Sequence, residues 1–163
     1  MTFAVVRLRG KHDLPDEIHD TLRMLHLTRQ NHCVLVPESD TVRGMLQLVK
    51  DHITWGEVDA EVLAKLLLRR GRAVGDRPID DAFVKAHSDY KSIWDLSQAL
   101  AKGEATLRDV RGLRPVLRLH PPVKGLRAIK RGYHQGGDLG YRGKEINALL
   151  QRMVFEEASG RGT

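Results

Sequence analysis

The chain has 163 residues, 27 Lys and Arg against 21 Asp and Glu for a net charge of +6, and 41% hydrophobic residues. That length suits one compact domain with an extension, or two small ones, and aromatic residues at 5% argue against a protein that reads single strands chiefly by stacking bases on rings. The single cysteine, Cys33, leaves no intramolecular disulfide and no cysteine-rich zinc site. A reduced cytosolic setting follows, with no apolar run long enough for a bilayer and no secretory-type N-terminus.

Thr2 to Arg9 alternates, with Phe3, Val5 and Arg7 facing one way and Ala4, Val6 and Leu8 the other. It reads as a first strand, buried on at least one face. Gly10-Lys11-His12 turns the chain, Asp13 is placed to cap a helix, and Pro15 is tolerated in its first turn. Leu14, Ile18, Leu22 and Leu25 follow at helical spacing. His32 to Pro37 is a second strand; Ser39 or Asp40 caps a second helix whose Val42, Met45, Leu46 and Val49 share a face; Ile53 to Val58 is a third strand. The order βαβαβ places both helices on one face of a sheet.

Asp59 opens a third helix with Val62, Leu63, Leu66 and Leu67 inward and Gly71 as its stop, followed by a loop with Gly75 and Pro78. Asp80 to His87 and Ser92 to Lys102 read as shorter helices, the second with a Ser92/Asp95 capping box and a Gly103 stop. Pro115 to Leu119 is a strand, and the chain then runs irregularly to about Arg142. Lys144 to Phe155 closes as an amphipathic helix through Ile146, Leu149, Leu150 and Met153, leaving 159–163 as a frayed tail. The segments expected are a core over 1–58, a helical extension over 59–104, a basic arm and terminal helix over 105–155, and a tail over 156–163.

Charge is unevenly spread. Residues 1–58 carry 7 Lys/Arg against 8 Asp/Glu, residues 59–100 carry 7 against 7, and residues 101–163 carry 13 against 6. The basic arm comprises Arg108, Arg111, Arg114, Arg118, Lys124, Arg127, Lys130, Arg131, Arg142 and Lys144, with glycines at 125, 132, 136, 137, 140 and 143. Cations on a pliable backbone can follow a bent chain of phosphates, and glycines let backbone amides approach them. A charge run by itself is equally a solvated loop; here Asp109 and Asp138 are nearly the only acids in the stretch, which favours nucleic acid. RNA suits an irregular arm better than DNA, because no helix pair looks like a major-groove reader. Gly- and Arg-rich loops of this kind are expected to gain much of their order on assembly.

Other chemistries are weaker. His12, His19 and His26 recur every seven residues, but nothing makes them converge with Cys33, and no metal or cofactor is expected. Gly136 to Lys144 fails as a phosphate loop, since Asp138 stands where a glycine is needed and Glu145 where Ser or Thr is needed. The pairs Asp80-Asp81 and Glu156-Glu157 sit at helix ends, and no acid–base or nucleophile constellation is present, so an enzyme is not expected. The competing reading is a ferredoxin-like regulatory domain that senses a small ligand, with a basic linker.

The run Arg29-Gln30-Asn31-His32-Cys33-Val34 through Pro37-Glu38-Ser39-Asp40-Thr41-Val42-Arg43-Gly44-Met45 resembles the core motif of the large-subunit ribosomal protein thirty family. Leu119-His120-Pro121-Pro122, Gly136-Gly137-Asp138-Leu139-Gly140-Tyr141-Arg142-Gly143 and Ile146-Asn147-Ala148-Leu149-Leu150 resemble its long archaeal and eukaryotic form. The resemblance spans essentially residues 2–155. It implies a ferredoxin-like α/β core in the large ribosomal subunit, contacting large-subunit rRNA with 5S rRNA nearby, beside neighbouring ribosomal proteins and away from membranes. The RNA-contact candidates it implies in the core motif are Arg29, His32, Arg43 and Gly44; in the long-form signature they include His120 and Arg142. Charge adds Arg114, Arg118, Lys124, Arg127, Lys130, Arg131 and Lys144.

Overall fold

Alternation of apolar side chains and the caps between them organise the chain into one layered α/β structure, which the computed structural model describes for residues 2–10 and 14–154. In chain order the elements are β1 (Thr2–Arg7), α1 (Asp16–Met24), β2 (His32–Pro37), α2 (Asp40–Leu48), β3 (Ile53–Glu57), α3 (Ala60–Arg70), β4 (Arg72–Ala73), β5 (Arg77–Pro78), α4 (Asp81–His87), α5 (Ile93–Lys102), β6 (Val116–Arg118), β7 (Gly140–Tyr141) and α6 (Ile146–Val154). Lys11, His12, the expected cap Asp13, Phe155, the Glu156-Glu157 pair and the rest of the tail lie outside the described residues.

The main sheet has the order β6-β2-β1-β3-β7. β1 is antiparallel to both neighbours, with Val5 opposite Val34 on one side and Trp55 on the other. β2 and β3 therefore run parallel around it, joined by α2, which is the split crossover of a ferredoxin-like fold. β1 is buried on both faces. Phe3 and Val5 pack under α1 and α2 with Leu22, Leu46, Val49 and Trp55. Ala4, Val6 and Leu8 pack against α3, α5 and α6 through Leu63, Leu66, Leu67, Leu96, Leu100, Leu149, Leu150 and Met153. Each such leucine contributes roughly 1.5–3 kcal/mol by leaving water.

Local signals hold in most places. The Ser39 hydroxyl accepts the Val42 N–H at 3.2 Å and starts α2; Asp80 does the same for Phe83 at 2.8 Å at the start of α4. Asp81 Oδ1 accepts the Ile93 N–H at 2.8 Å, so both acids of that pair serve helix starts. The Ser92 hydroxyl accepts the Asp95 N–H, and Gly103 ends α5 at φ 83°. Pro15 stands before α1 rather than within its first turn, and its carbonyl accepts the His19 N–H at 3.0 Å.

Three expectations change. Gly71 ends α3 at φ −65°, so left-handed backbone is not its reason; a Cβ there would meet the Leu67 carbonyl oxygen at 2.5 Å and Ile79 at 2.8 Å. The loop at Gly75 and Pro78 is a small hairpin of β4 and β5. The run between Leu119 and Arg142, expected to be irregular throughout, is internally tied and carries β7 at its end. Asp138, 2% exposed, accepts the N–H groups of Arg127 and Ala128, and Leu139 inserts into the core. One buried carboxylate and one buried leucine give the loop a core that composition did not reveal.

Candidate nucleic-acid interface

The end of the sheet where β2 begins and β6 stops gathers cations from distant parts of the sequence. Antiparallel pairing sets His32 opposite Arg118, and the Leu119 N–H closes the ladder on the Asn31 carbonyl at 3.1 Å. Arg29 is exposed on the turn that leads into β2. His32 is half-buried, and burial, then Arg118, Arg29 and Arg7, hold its pKa below the ordinary histidine value. The imidazole is therefore neutral near pH 7, and its Nδ1 is buried without a hydrogen-bond partner. His52, at the start of β3, repeats the pattern: burial, then Arg9 and Arg7, lower its pKa, and its Nδ1 also lacks a partner.

Arg114 and Arg118 reach Asp76, in the β4–β5 hairpin, at 3.3 and 3.7 Å. Asp76 is 59% exposed and holds φ 60°. Exposed pairs of this kind contribute about 0–1 kcal/mol, so the two guanidinium groups are held in place but remain exchangeable for phosphate. His120 is fixed in the backbone path: Nδ1 donates to the Pro121 carbonyl at 2.7 Å, its N–H donates to Met153, and Nε2 is buried without a partner.

Along the loop that follows, Lys124, Lys130 and Arg131 are exposed, as is Lys144 beyond β7. Lys124 sits at φ 69°. Arg127 is half-exposed and does structural work, donating Nη2 to the Gly137 carbonyl at 2.6 Å and lying 4.7 Å from the centre of the Tyr133 ring. Arg142, expected at the RNA surface, belongs to the interior. Its side chain is 4% exposed, Nε donates to the Thr54 hydroxyl at 2.8 Å, and Nη2 donates to the Asp138 carbonyl and carboxylate. A signature arginine here stitches β3 to the loop and has no face left for phosphate.

The two core-motif residues on α2 stand apart from the sheet end. Arg43 is 54% exposed and paired with Glu38 and Asp40. Gly44 is exposed in mid-helix, and a Cβ there would touch nothing within 4 Å. Nothing inside the fold requires a glycine at that position.

Sequence reading left Arg7, Arg9 and His52 out of the basic surface. Arg7 carried a signal: it is a cation in phase with Phe3 and Val5 on a buried strand face, without an acid in the alternation. The histidine repeat does not become a site. His26 is exposed at φ 63° and Cys33 is fully buried in β2, where burial pushes its thiol up to about 12. Among the described residues no three His, Cys, Asp or Glu are placed to hold a metal, and no helix is long and apolar enough to cross a membrane.

The sequence model of the family described as ribosomal protein L30p/L7e matches residues 3–53, from β1 to the start of β3. Over 152 residues the chain is 52% identical to the large ribosomal subunit protein uL30 of Methanoregula boonei, covering 93% of this chain and 99% of that one. It is 50% identical over 151 residues to the protein of that name from Methanoculleus marisnigri, and 48% identical over 151 residues to that of Archaeoglobus fulgidus. Each covers 93% of this chain and 99% of the relative.

Proposed function

The chain belongs to the L30p/L7e family of large-subunit ribosomal proteins, in its archaeal form, and we propose that it binds and stabilises large-subunit rRNA, close to 5S rRNA, through the basic end of its sheet and the loop beyond β6. Its role in the subunit is structural and not enzymatic. The observation that carries the rRNA reading is the meeting of Arg29 and His32, of the core motif, with Arg118, of the basic arm, at one sheet end.

Phosphates fit that arrangement because arginine forks bridge backbone oxygens while a neutral, half-buried histidine offers hydrogen bonds without adding charge. Lys124, Lys130, Arg131 and Lys144 extend the positive surface, and Arg43 with Gly44 offers a second contact on α2. Arg127, His120 and Arg142 act by holding the loop in shape. Labour divides along the chain: residues 1–58 form the platform, 59–104 a helical extension, and 105–155 the RNA-binding arm.

The test is binding of the full chain to purified large-subunit rRNA across a salt series, with tRNA as competitor. Competitor-resistant binding that weakens in Arg29→Ala and Arg118→Ala, each lowering the salt slope by about one contact, supports the reading. Binding that tRNA displaces equally removes it.

A further inference from the structure

Arg7 closes β1 with only 2% of its surface exposed. Its Nε donates to the Arg9 carbonyl at 2.8 Å and Nη1 to the Leu27 carbonyl at 2.7 Å. Nη2 is buried with no partner, and no described carboxylate pairs with the group. A guanidinium does not escape this by losing its proton. A buried cation without a counter-charge costs several kcal/mol, so the fold carries a penalty here that an arriving anion would relieve.

The structure also provides the opening. A cleft of about 80 Å³ is lined by Arg7, His19, Leu22, Arg23, Leu27 and Thr28. It exceeds the roughly 30 Å³ that one water occupies in the liquid, and no acidic residue lines it. Arg23 and Thr28 are exposed at its mouth, and Thr28 directly precedes Arg29. The other buried nitrogens without partners, His32 Nδ1, His52 Nδ1 and His120 Nε2, belong to the same end of the sheet, where β1 and β6 stop and β2 and β3 begin. Unsatisfied polar nitrogens on one side of a molecule, beside exposed arginines, mark a surface built to be completed by a polar, anionic partner.

We propose that the Arg7 cleft seats one phosphate of the bound RNA, with the Arg7 guanidinium supplying positive charge behind it and Arg23 and Thr28 the contacts at the rim. A phosphodiester chain suits it better than a single carboxylate, because Arg23, Arg29 and Arg118 offer further cations along the same surface for the adjoining phosphates. The proposal rests on the rRNA reading and adds to it a contact that comes from neither the core motif nor the basic arm.

Three measurements on the full chain decide it. Arg7→Met, which keeps the bulk and removes the charge, should weaken binding to large-subunit rRNA about ten-fold or more and lower the salt slope by about one. Inorganic phosphate at constant ionic strength should raise the melting temperature of the wild type and not that of Arg7→Met. If Arg7→Met does not fold, the rim variants Arg23→Ala and Thr28→Val carry the same readouts from exposed positions. Unchanged rRNA binding in these variants removes the phosphate seat and leaves the rRNA reading intact, whereas a wild type that does not prefer large-subunit rRNA removes both. Equal stabilisation by acetate and by phosphate assigns the cleft to a carboxylate of a protein neighbour and overturns the proposal.

Discussion

Arg142 Nη2 lies 3.1 Å from Asp138 Oδ1, and the two side chains are 4% and 2% exposed. This buried pair sits at the hub of the loop after β6. Asp138 also receives the N–H groups of Arg127 and Ala128, while Arg142 reaches across to the Thr54 hydroxyl of β3. Breaking one member of such a pair strands the other charge in the interior. Asp138→Ala should therefore lower unfolding stability by about 3–5 kcal/mol, read by urea denaturation. Lys130→Ala, at an exposed position of the same loop, should change stability by no more than about 0.5 kcal/mol.

Cys33 gives a direct check on the core. It is fully buried in β2 between β1 and β6, and burial lifts its thiol to about 12. A thiol that does not ionise and does not meet solvent does not attack disulfide reagents. Native protein should leave Ellman's reagent uncoloured at pH 8, and reactive thiol should rise across the urea unfolding transition to one equivalent per chain when unfolding is complete.

The strands and helices of the first 58 residues were legible because each signal repeats within a few positions: β2 runs from His32 to Pro37 as its composition implies, and Ser39 caps α2. What was hidden depends on pairing over long separations. Nothing local to Val116–Arg118 says that it will lie against β2 and bring Arg118 to His32. Likewise, Arg142 reads as one more cation of a basic arm until β7 docks on β3 and carries its side chain inward. Arg7 was legible in phase but not in consequence, since only the packed fold shows its Nη2 without a partner.

The free protein should lose stability as pH falls below neutrality. His32 and His52 have folded-state pKa values below their ordinary 6.5, chiefly through burial and then through nearby arginines. Above that value both states hold neutral imidazole and nothing is at stake. As pH drops through 6.5 the unfolded chain takes up protons that the folded chain resists, so stability falls until the lower folded values are reached. His32→Gln and His52→Gln should each flatten the melting temperature between about pH 7 and pH 5. A profile unchanged in both variants would mean that neither ring is held neutral by the fold.

Gly44 and Gly56 should respond to alanine in opposite directions. At Gly56 in β3 a Cβ would stand 1.9 Å from the Gly143 carbonyl oxygen and 3.1 Å from the Ile146 side chain, so the turn before α6 must move. Overpacking of that sort costs about 1–3 kcal/mol. At Gly44 nothing lies within 4 Å of the new methyl group, and glycine in a helix interior gives up about 1 kcal/mol relative to alanine. Gly44→Ala should accordingly raise the stability of the free chain by about that amount in urea denaturation. If the bare helix face exists to let an RNA backbone approach α2 closely, the same substitution should weaken binding to large-subunit rRNA while stabilising the protein. A gain in stability with undiminished affinity would place Gly44 outside the contact surface and leave its missing side chain without a structural reason.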